Sequence, residues 1–300
     1  MFPIIPANSA AVSGNQEGII AYGRTTGDSN SSISNLVTNA GVVGTDVTGV
    51  GTARTEVAGC EYGDDKGIFG YGGPSSYYSC TNLVTNAGVV GTDVTGVGTA
   101  RSGIGACAYG GDKGIFGFGN DGYYCGMTNL VTNAGVVGTD VAAVGTARYA
   151  VAACEYGEDK GIFGYGGAAP GPVVSTTNLV SNTGVVATDT AGVGTAMFYL
   201  SACSYGGDKG IFGFGSAGGV TGITNLVSNA GVVASDTAAV GTARQWPGAT
   251  QYGGDKGIFA FGWASSYFTT TNLVSNEGVV ASDGTAAGTA KAYSGACSFN

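Results

Sequence analysis

Histidine is absent from the 300 residues, which removes the commonest general base and the commonest metal ligand together. Charge is scarce: Asp, Glu, Lys and Arg make up 10% of the chain, against about 25% in an ordinary domain. What charge there is leaves a net −9. A surface of that sign repels phosphate backbones and argues against nucleic acid as a partner. No apolar run reaches the ~18 residues of a membrane span, so no membrane insertion is expected. The start, Met-Phe-Pro-Ile-Ile-Pro, lacks the basic and long apolar regions of a signal peptide. The expectation is a soluble chain assembled inside a cell, or one already freed of its signal. Glycine is abundant, 58 residues, yet no Gly-X-Y period exists, so collagen is excluded. No apolar stripe of period 3.6 persists long enough for a helix.

What is present is one phrase said six times. Asn-Leu-Val begins at Asn35, Asn82, Asn129, Asn178, Asn225 and Asn272, and Gly-Thr-Ala at Gly51, Gly98, Gly145, Gly194, Gly241 and Gly288. Both advance in steps of 47, 47, 49, 47 and 47 residues. A period in that range marks a solenoid, propeller or array. Within one unit, 102–109 alternates small and apolar residues and reads as a first strand. Gly110-Gly111-Asp112 is a tight turn, 113–118 a second strand, 128–131 the start of a third, and 135–140 a fourth after an Asn-Ala-Gly turn. Four short strands per unit are the content of a propeller blade. The expected fold is all-β, a six-bladed propeller of four short antiparallel strands per blade. An open solenoid is the rival, but such arrays carry polar caps. The C-terminal segment 292–299 matches a first strand, and 18–22, 33–37 and 41–46 supply its three partners. The last strand is therefore expected to close the ring. Residues 7–13 also resemble a first strand, so 1–13 form an arm or surplus strand and 14–300 the propeller.

The stretch Ala-Arg-Ser-Gly-Ile-Gly-Ala-Cys-Ala-Tyr-Gly-Gly-Asp-Lys-Gly-Ile-Phe-Gly-Phe-Gly from Ala100 resembles a kelch repeat. That family has an Arg before a small-residue strand, a turn, and an apolar strand ending in a glycine pair. The pair is kept at Gly72-Gly73 and Gly166-Gly167, and the Arg at Arg54, Arg101, Arg148 and Arg244, with Met197 and Lys291 at the other two places. The family's later Tyr and Trp are replaced by Val, Thr and Asp. The resemblance implies a propeller and, in many members, protein–protein interaction. WD40 signatures are absent. Near-identical Gly/Val/Thr-rich repeats of this kind also resemble repeat proteins of bacteriophages of aquatic bacteria, which implies virion duty at tail, neck or capsid surface and host attachment.

Enzyme chemistry fails without histidine: Ser-His-Asp, Cys-His and copper-oxidase sites are all out, and no phosphate-binding Gly-x-x-x-x-Gly-Lys-Ser/Thr occurs. No cofactor, metal or catalytic residue is expected. The carboxylates Asp46, Asp93, Asp140, Asp189, Asp236 and Asp283 repeat at the fourth strand. They read as turn caps or partners of the Arg eight residues on, with an axial cation as the sharper alternative. The Asp-Lys pairs at the short turns read as a solvated rim. Cys60, Cys107, Cys154, Cys203 and Cys297 share one position with Ala11 and Thr250, which implies a small buried slot. Cys80 and Cys125, in variable loops of neighbouring units, are disulfide candidates.

The loop between second and third strands, and the lead-in to the first, vary between copies. They carry Tyr77, Tyr78, Tyr123, Tyr124, Tyr149, Tyr199, Trp246, Trp263, Tyr267 and Phe268, the composition of a recognition surface. The alternative is that these rings pack between blades. Three functions follow: a non-enzymatic structural and recognition ring on a virion, a free carbohydrate-binding propeller reading host glycan, or an intracellular kelch-type adaptor. The arm, with Phe2, Ile4 and Ile5, is the expected contact to other virion proteins.

Overall fold

The computed structural model describes residues 16–73, 76–168 and 171–299, and every regular element among them is a strand. The expected arm, 1–13, lies outside the described residues, as do its hydrophobic residues and Ala11. Six small antiparallel sheets dominate, with one short extra pairing, Arg148–Tyr149 against Gly167–Ala168. Sheets two to five each take three strands in chain order, and sheet six adds a short fourth, Gly284–Thr285, beside Thr270–Val274. Sheet two is Ala58–Tyr62, Lys66–Gly70 and Thr81–Val84; sheet three is Gly105–Tyr109, Lys113–Asn120 and Tyr124–Val131. Sheets four, five and six open with Ala152–Tyr156, Ser201–Tyr205 and Gly248–Tyr252. Sheet one joins the two ends of the described chain. Gly295–Phe299 pairs with Glu17–Thr25 over five residues, Glu17 opposite Phe299 and Ala21 opposite Gly295, and Glu17–Thr25 pairs onward with Ser29–Val37.

The first strands lie side by side in a series that returns to its start, from sheet one through sheet six and back to sheet one. Side-chain size makes this close approach feasible. Each first strand places a small residue over a glycine of the next sheet's second strand: Cys60 over Gly114, Cys203 over Gly257, and Thr250 over Gly18. A β-carbon on Gly114 would stand 2.6 Å from the Cys60 sulfur, so a side chain there would collide. The five repeat cysteines are buried and free, the small buried slot expected of them. In five of the six seams between sheets, the aromatic ring following the second strand meets a Phe of the next sheet, most of them edge to face, as in Tyr71 and Phe116 at 5.2 Å. The next unit's arginine lies over the same ring: Arg101 over Tyr71 at 4.4 Å. These aromatics sit at positive φ, Tyr71 at 63°, and that unusual backbone turns the ring into the seam.

The repeated words are one polar network. Arg54, wholly buried, donates from Nε to the Tyr71 carbonyl (2.7 Å) and from Nη2 to Asn82 Oδ1 (2.7 Å). Asn82 Nδ2 donates to the Gly91 carbonyl (3.0 Å) and to Asp93 Oδ1 (2.9 Å). Asp93 also accepts the Thr52 amide (3.0 Å) and hydroxyl (2.6 Å). Every sheet repeats the Thr–Asp clasp, and in sheet one Thr289 clasps Asp46 across 243 residues. The carboxylates therefore do not pair with the arginine eight residues on. Asp93 faces Arg54, 39 residues upstream, at 3.8 Å, while Arg101 faces Asp140. Gly-Thr-Ala-Arg is the opening of the sheet that follows it, and folding brings it to that sheet's own last segment.

The expected fourth strand is a regular strand only in sheet six, as the two residues Gly284–Thr285 paired with Thr270 and Thr271; in the other sheets it is reduced to isolated bridges. Residues 135–141 touch the third strand through two isolated bridges, Val131 to Val137 and Thr128 to Val141. The Asn129 amide enters between them and donates to the Gly138 carbonyl at 3.0 Å, replacing a backbone rung with a side chain. The Asp-Lys turns pair within themselves, as Asp208 with Lys209 at 2.7 Å. They remain partly exposed, and such pairs contribute little.

Candidate functional site

The variable aromatics converge where the six first strands begin. The residue two places before each first strand occupies a ring position: Glu56, Gly103, Ala150, Tyr199, Trp246 and Tyr293, all at positive φ between 52° and 60°. Around the ring five of these six amides donate to the preceding carbonyl, including Glu56 to Tyr293 (3.0 Å), Trp246 to Tyr199 (2.7 Å) and Tyr293 to Trp246 (3.1 Å). The side chains stack above this collar. Trp246 lies between Tyr199 (4.1 Å) and Tyr293 (3.9 Å), and Tyr199 meets Phe198 and Tyr149. Tyr149 runs over Gly103, whose place no β-carbon could fill, and its hydroxyl donates to Glu56 Oε1 at 3.0 Å. Glu56 Oε2 is buried without a hydrogen-bond partner. Burial, then the Glu56 charge, pushes the Tyr149 hydroxyl well above its ordinary range, so it stays a donor. Below the lid lies an axial cavity of about 110 Å³ walled by Val57, Ile104, Val151, Leu200 and small residues.

Five of the sequence candidates belong to this lid: Tyr149, Tyr199 and Trp246 directly, Tyr124 by stacking on Tyr149 (5.7 Å), and Trp263 beside Trp246 (6.2 Å). The others lie outside it. Tyr123 is 85% exposed at a hairpin tip, and Tyr77 is exposed with its hydroxyl near Asn120. Tyr78 is bound by its backbone to Gly72 and Arg101, Phe268 by its backbone to Gly262, and the Tyr267 hydroxyl donates to Asp28 at 2.6 Å. Tyr293, Glu56 and Arg24, which lies 5.5 Å from the Tyr293 ring, were missed. Comparing one column of the repeat, 56 through 293, would have revealed Glu56 as its lone charge.

Cys80 and Cys125 are both free thiols, which corrects the disulfide. They belong to different sheets, and each lies near its own sheet's Arg and Asp, Arg54 and Asp93 for one, Arg101 and Asp140 for the other.

Deeper along the axis is a second chamber of about 40 Å³, lined by the repeat cysteines with Glu61, Glu155, Ser204 and Gln251. Burial raises both glutamates above the usual carboxylate range. The Ser298 hydroxyl donates to Glu61 and partly offsets this, while the charge of Glu61 adds to the rise at Glu155. The axis is thus lined by first-strand carboxylates. The repeated aspartates are held outside, in their Thr clasps, which excludes them as an axial cation ring. No His/Cys/Asp/Glu group of three or more is placed to hold a metal among the described residues. No helix there is long and apolar enough to cross a membrane.

No family model matches the chain, and no curated protein matches it either.

Proposed function

We propose that the chain is a six-bladed, kelch-like β-propeller that serves as a non-enzymatic structural and recognition ring on a bacteriophage virion, at tail, neck or capsid surface. The observation that carries this reading is the difference between its two ends. First-strand starts, second-strand ends and third-strand starts share one end, and there the units differ most. That end bears the stacked lid with Tyr77 and Tyr123 exposed beside it, a surface suited to one particular partner. The opposite end repeats almost without change. It presents the Asp-Lys turns, each tied to the adjoining hairpin by an Asn, such as Asn133 to Asp112 at 2.9 Å. It also presents one exposed valine per unit, Val42, Val89, Val136, Val185, Val232 and Val279, each 60–65% exposed. Apolar groups held at six equivalent places suit docking onto a larger assembly. The absence of histidine and the sixfold repetition both favour a structural role over catalysis.

The test is assembly of particles with and without the chain. Altered particle morphology or lost host attachment is expected without it; unchanged morphology and attachment would remove the virion reading. The exposed tyrosines favour a second reading, a free glycan-binding propeller. It requires the isolated chain to select glycans on an array and to lose them in Tyr124→Ala. An intracellular adaptor role would show instead as peptide binding by the isolated chain at the lid.

A further inference from the structure

Under the lid one carboxylate oxygen is left over. Glu56 Oε1 accepts the Tyr149 hydroxyl at 3.0 Å, while Oε2 is buried and accepts no hydrogen bond. None of the described ion pairs includes Glu56. Arg24 lies over the Tyr293 ring, 5.5 Å from its centre, and its Nε has no hydrogen-bond partner either, so Arg24 does not supply the missing donor. Glu56 is the one charged residue among those walling the axial cavity. The two serines of that wall are already engaged, Ser201 with the Pro247 carbonyl and Ser294 with the Tyr22 carbonyl. A buried carboxylate oxygen without a donor is costly, and a cation that brings an N–H removes the cost.

We propose that the axial cavity under the lid is a binding site for a small aliphatic ammonium, its N–H donating to Glu56 Oε2 at the mouth and its alkyl tail lying among Val57, Ile104, Val151 and Leu200. This site belongs to the end already read as the recognition surface and rests on that reading. The acceptor is a carboxylate, which selects a cation carrying N–H groups over a neutral alcohol. Below the mouth the side chains are aliphatic, which selects a hydrocarbon tail over a hydroxylated amino sugar. A hard metal ion takes about 6–8 oxygen ligands; here the wall offers one carboxylate, and five of the six collar carbonyls already accept an amide. The space of about 110 Å³ compares with about 150 Å³ for an apolar cavity that takes up benzene, so a four-carbon chain fits. The stacked rings of Tyr199, Trp246 and Tyr293 cover the site, and reduced access of water strengthens a single ion pair. Glu56 is partly exposed as a residue, which places its carboxylate where a ligand enters. It is the lone charge at its repeat position, so packing of the repeat does not demand it.

The experiment uses the full chain and n-butylammonium as the probe, followed by calorimetric titration and by the fluorescence of Trp246, which walls the cavity. Ethylammonium, n-butanol and glucosamine are the comparison ligands; Glu56→Gln, Arg24→Gln and a surface control, Asp64→Asn, are the variants. Glu56→Gln keeps an acceptor for Tyr149 and removes the charge, and its melting temperature checks the fold. Expected is one site per chain. Binding at least about tenfold weaker is expected for n-butanol and glucosamine on wild type, and for n-butylammonium on Glu56→Gln. Ethylammonium is expected to bind roughly fifteenfold more weakly, from about fourfold per buried methylene. Asp64→Asn binds as wild type does, and Arg24→Gln at least as tightly, because a like charge is gone. No saturable binding by wild type at tens of millimolar amine, n-butanol or glucosamine binding as tightly as the amine, or unchanged binding in Glu56→Gln would overturn the site. Binding confined to Arg24→Gln would overturn it too, since Arg24 would then be the partner of Glu56 in the native chain. The ligand series on wild type decides the matter even where Glu56→Gln fails to fold. The readout involves neither particles nor glycan arrays, so its failure leaves the tests of the recognition reading standing, and loss of the virion reading leaves the amine titration unchanged.

Discussion

Lys291 stands where four other units place an arginine and one places Met197, and its amine is wholly buried. Nζ donates to the Ile20 carbonyl at 3.0 Å and lies 4.9 Å from the Phe261 ring centre. Burial lowers its pKa from 10.5 to about 7, with the Asp46 carboxylate opposing that fall. The sign follows from the two end states. Below about pH 6 folded and unfolded chains both carry the proton, and stability does not respond to pH through this group. Above about pH 7 the unfolded chain keeps a proton that the folded chain has released, so stability rises with pH toward the ordinary lysine value. The slope approaches about 1.4 kcal/mol per pH unit. Integrated from about pH 6 to about pH 8.5, the gain is about 2 kcal/mol. Glu61, Glu155 and the axial thiols titrate with the opposite sign, so the quantity to read is the difference between wild type and Lys291→Met. Methionine is already the wholly buried residue at the equivalent position 197. Urea unfolding followed by tryptophan fluorescence, at several pH values, gives that difference. Wild type is expected to gain about 2 kcal/mol on the variant across this interval. Curves that stay parallel to within about 0.5 kcal/mol would refute a neutral buried amine in the closing sheet.

Asp140→Ala strands the Thr99 amide and hydroxyl and the Asn129 amide. It is expected to cost about 1–3 kcal/mol in urea unfolding, with Asp46→Ala costing a similar amount because Thr289 makes the same clasp; a loss under about 0.5 kcal/mol would mean the clasp is ornamental. Gly161→Ala would bring a β-carbon to 2.5 Å from the Cys107 sulfur. A loss of about 1–3 kcal/mol is expected, largely recovered in the double variant with Cys107→Ala, and additive losses would contradict the proposed contact. A thiol reagent on the native chain is expected to modify Cys80, which is partly exposed, while Cys125 and the five repeat cysteines react only on unfolding; rapid modification of several thiols in the native state would contradict the packed axis.

Much of the fold was legible because the chain states it six times. Strand positions followed from alternating small and β-branched residues between glycine turns, and the match of 292–299 to a first strand anticipated its pairing with Glu17–Thr25. The fourth strand was misread because its Val-rich composition suits a strand. Nothing local says that Asn129 will insert its amide into the ladder. The partner of each aspartate was misassigned for a related reason: eight residues along the chain is a short sequence distance, yet Asp93 is met by Thr52 and Arg54 from about 40 residues upstream.

The site divides in the same way. Sequence alone determined that there are six like units, that aromatic residues gather in their variable segments, and that histidine chemistry is absent, because composition and periodicity are properties of the chain itself. Tertiary structure decided which of those residues meet. It set Tyr149, Tyr199 and Trp246 beside Tyr293 and Glu56 in one lid, left Tyr77 and Tyr123 outside it, and brought Glu61 and Glu155, 94 residues apart in sequence, to one chamber. Such meetings depend on neighbouring sheets arriving side by side, and no local pattern encodes the distance between residues on different sheets.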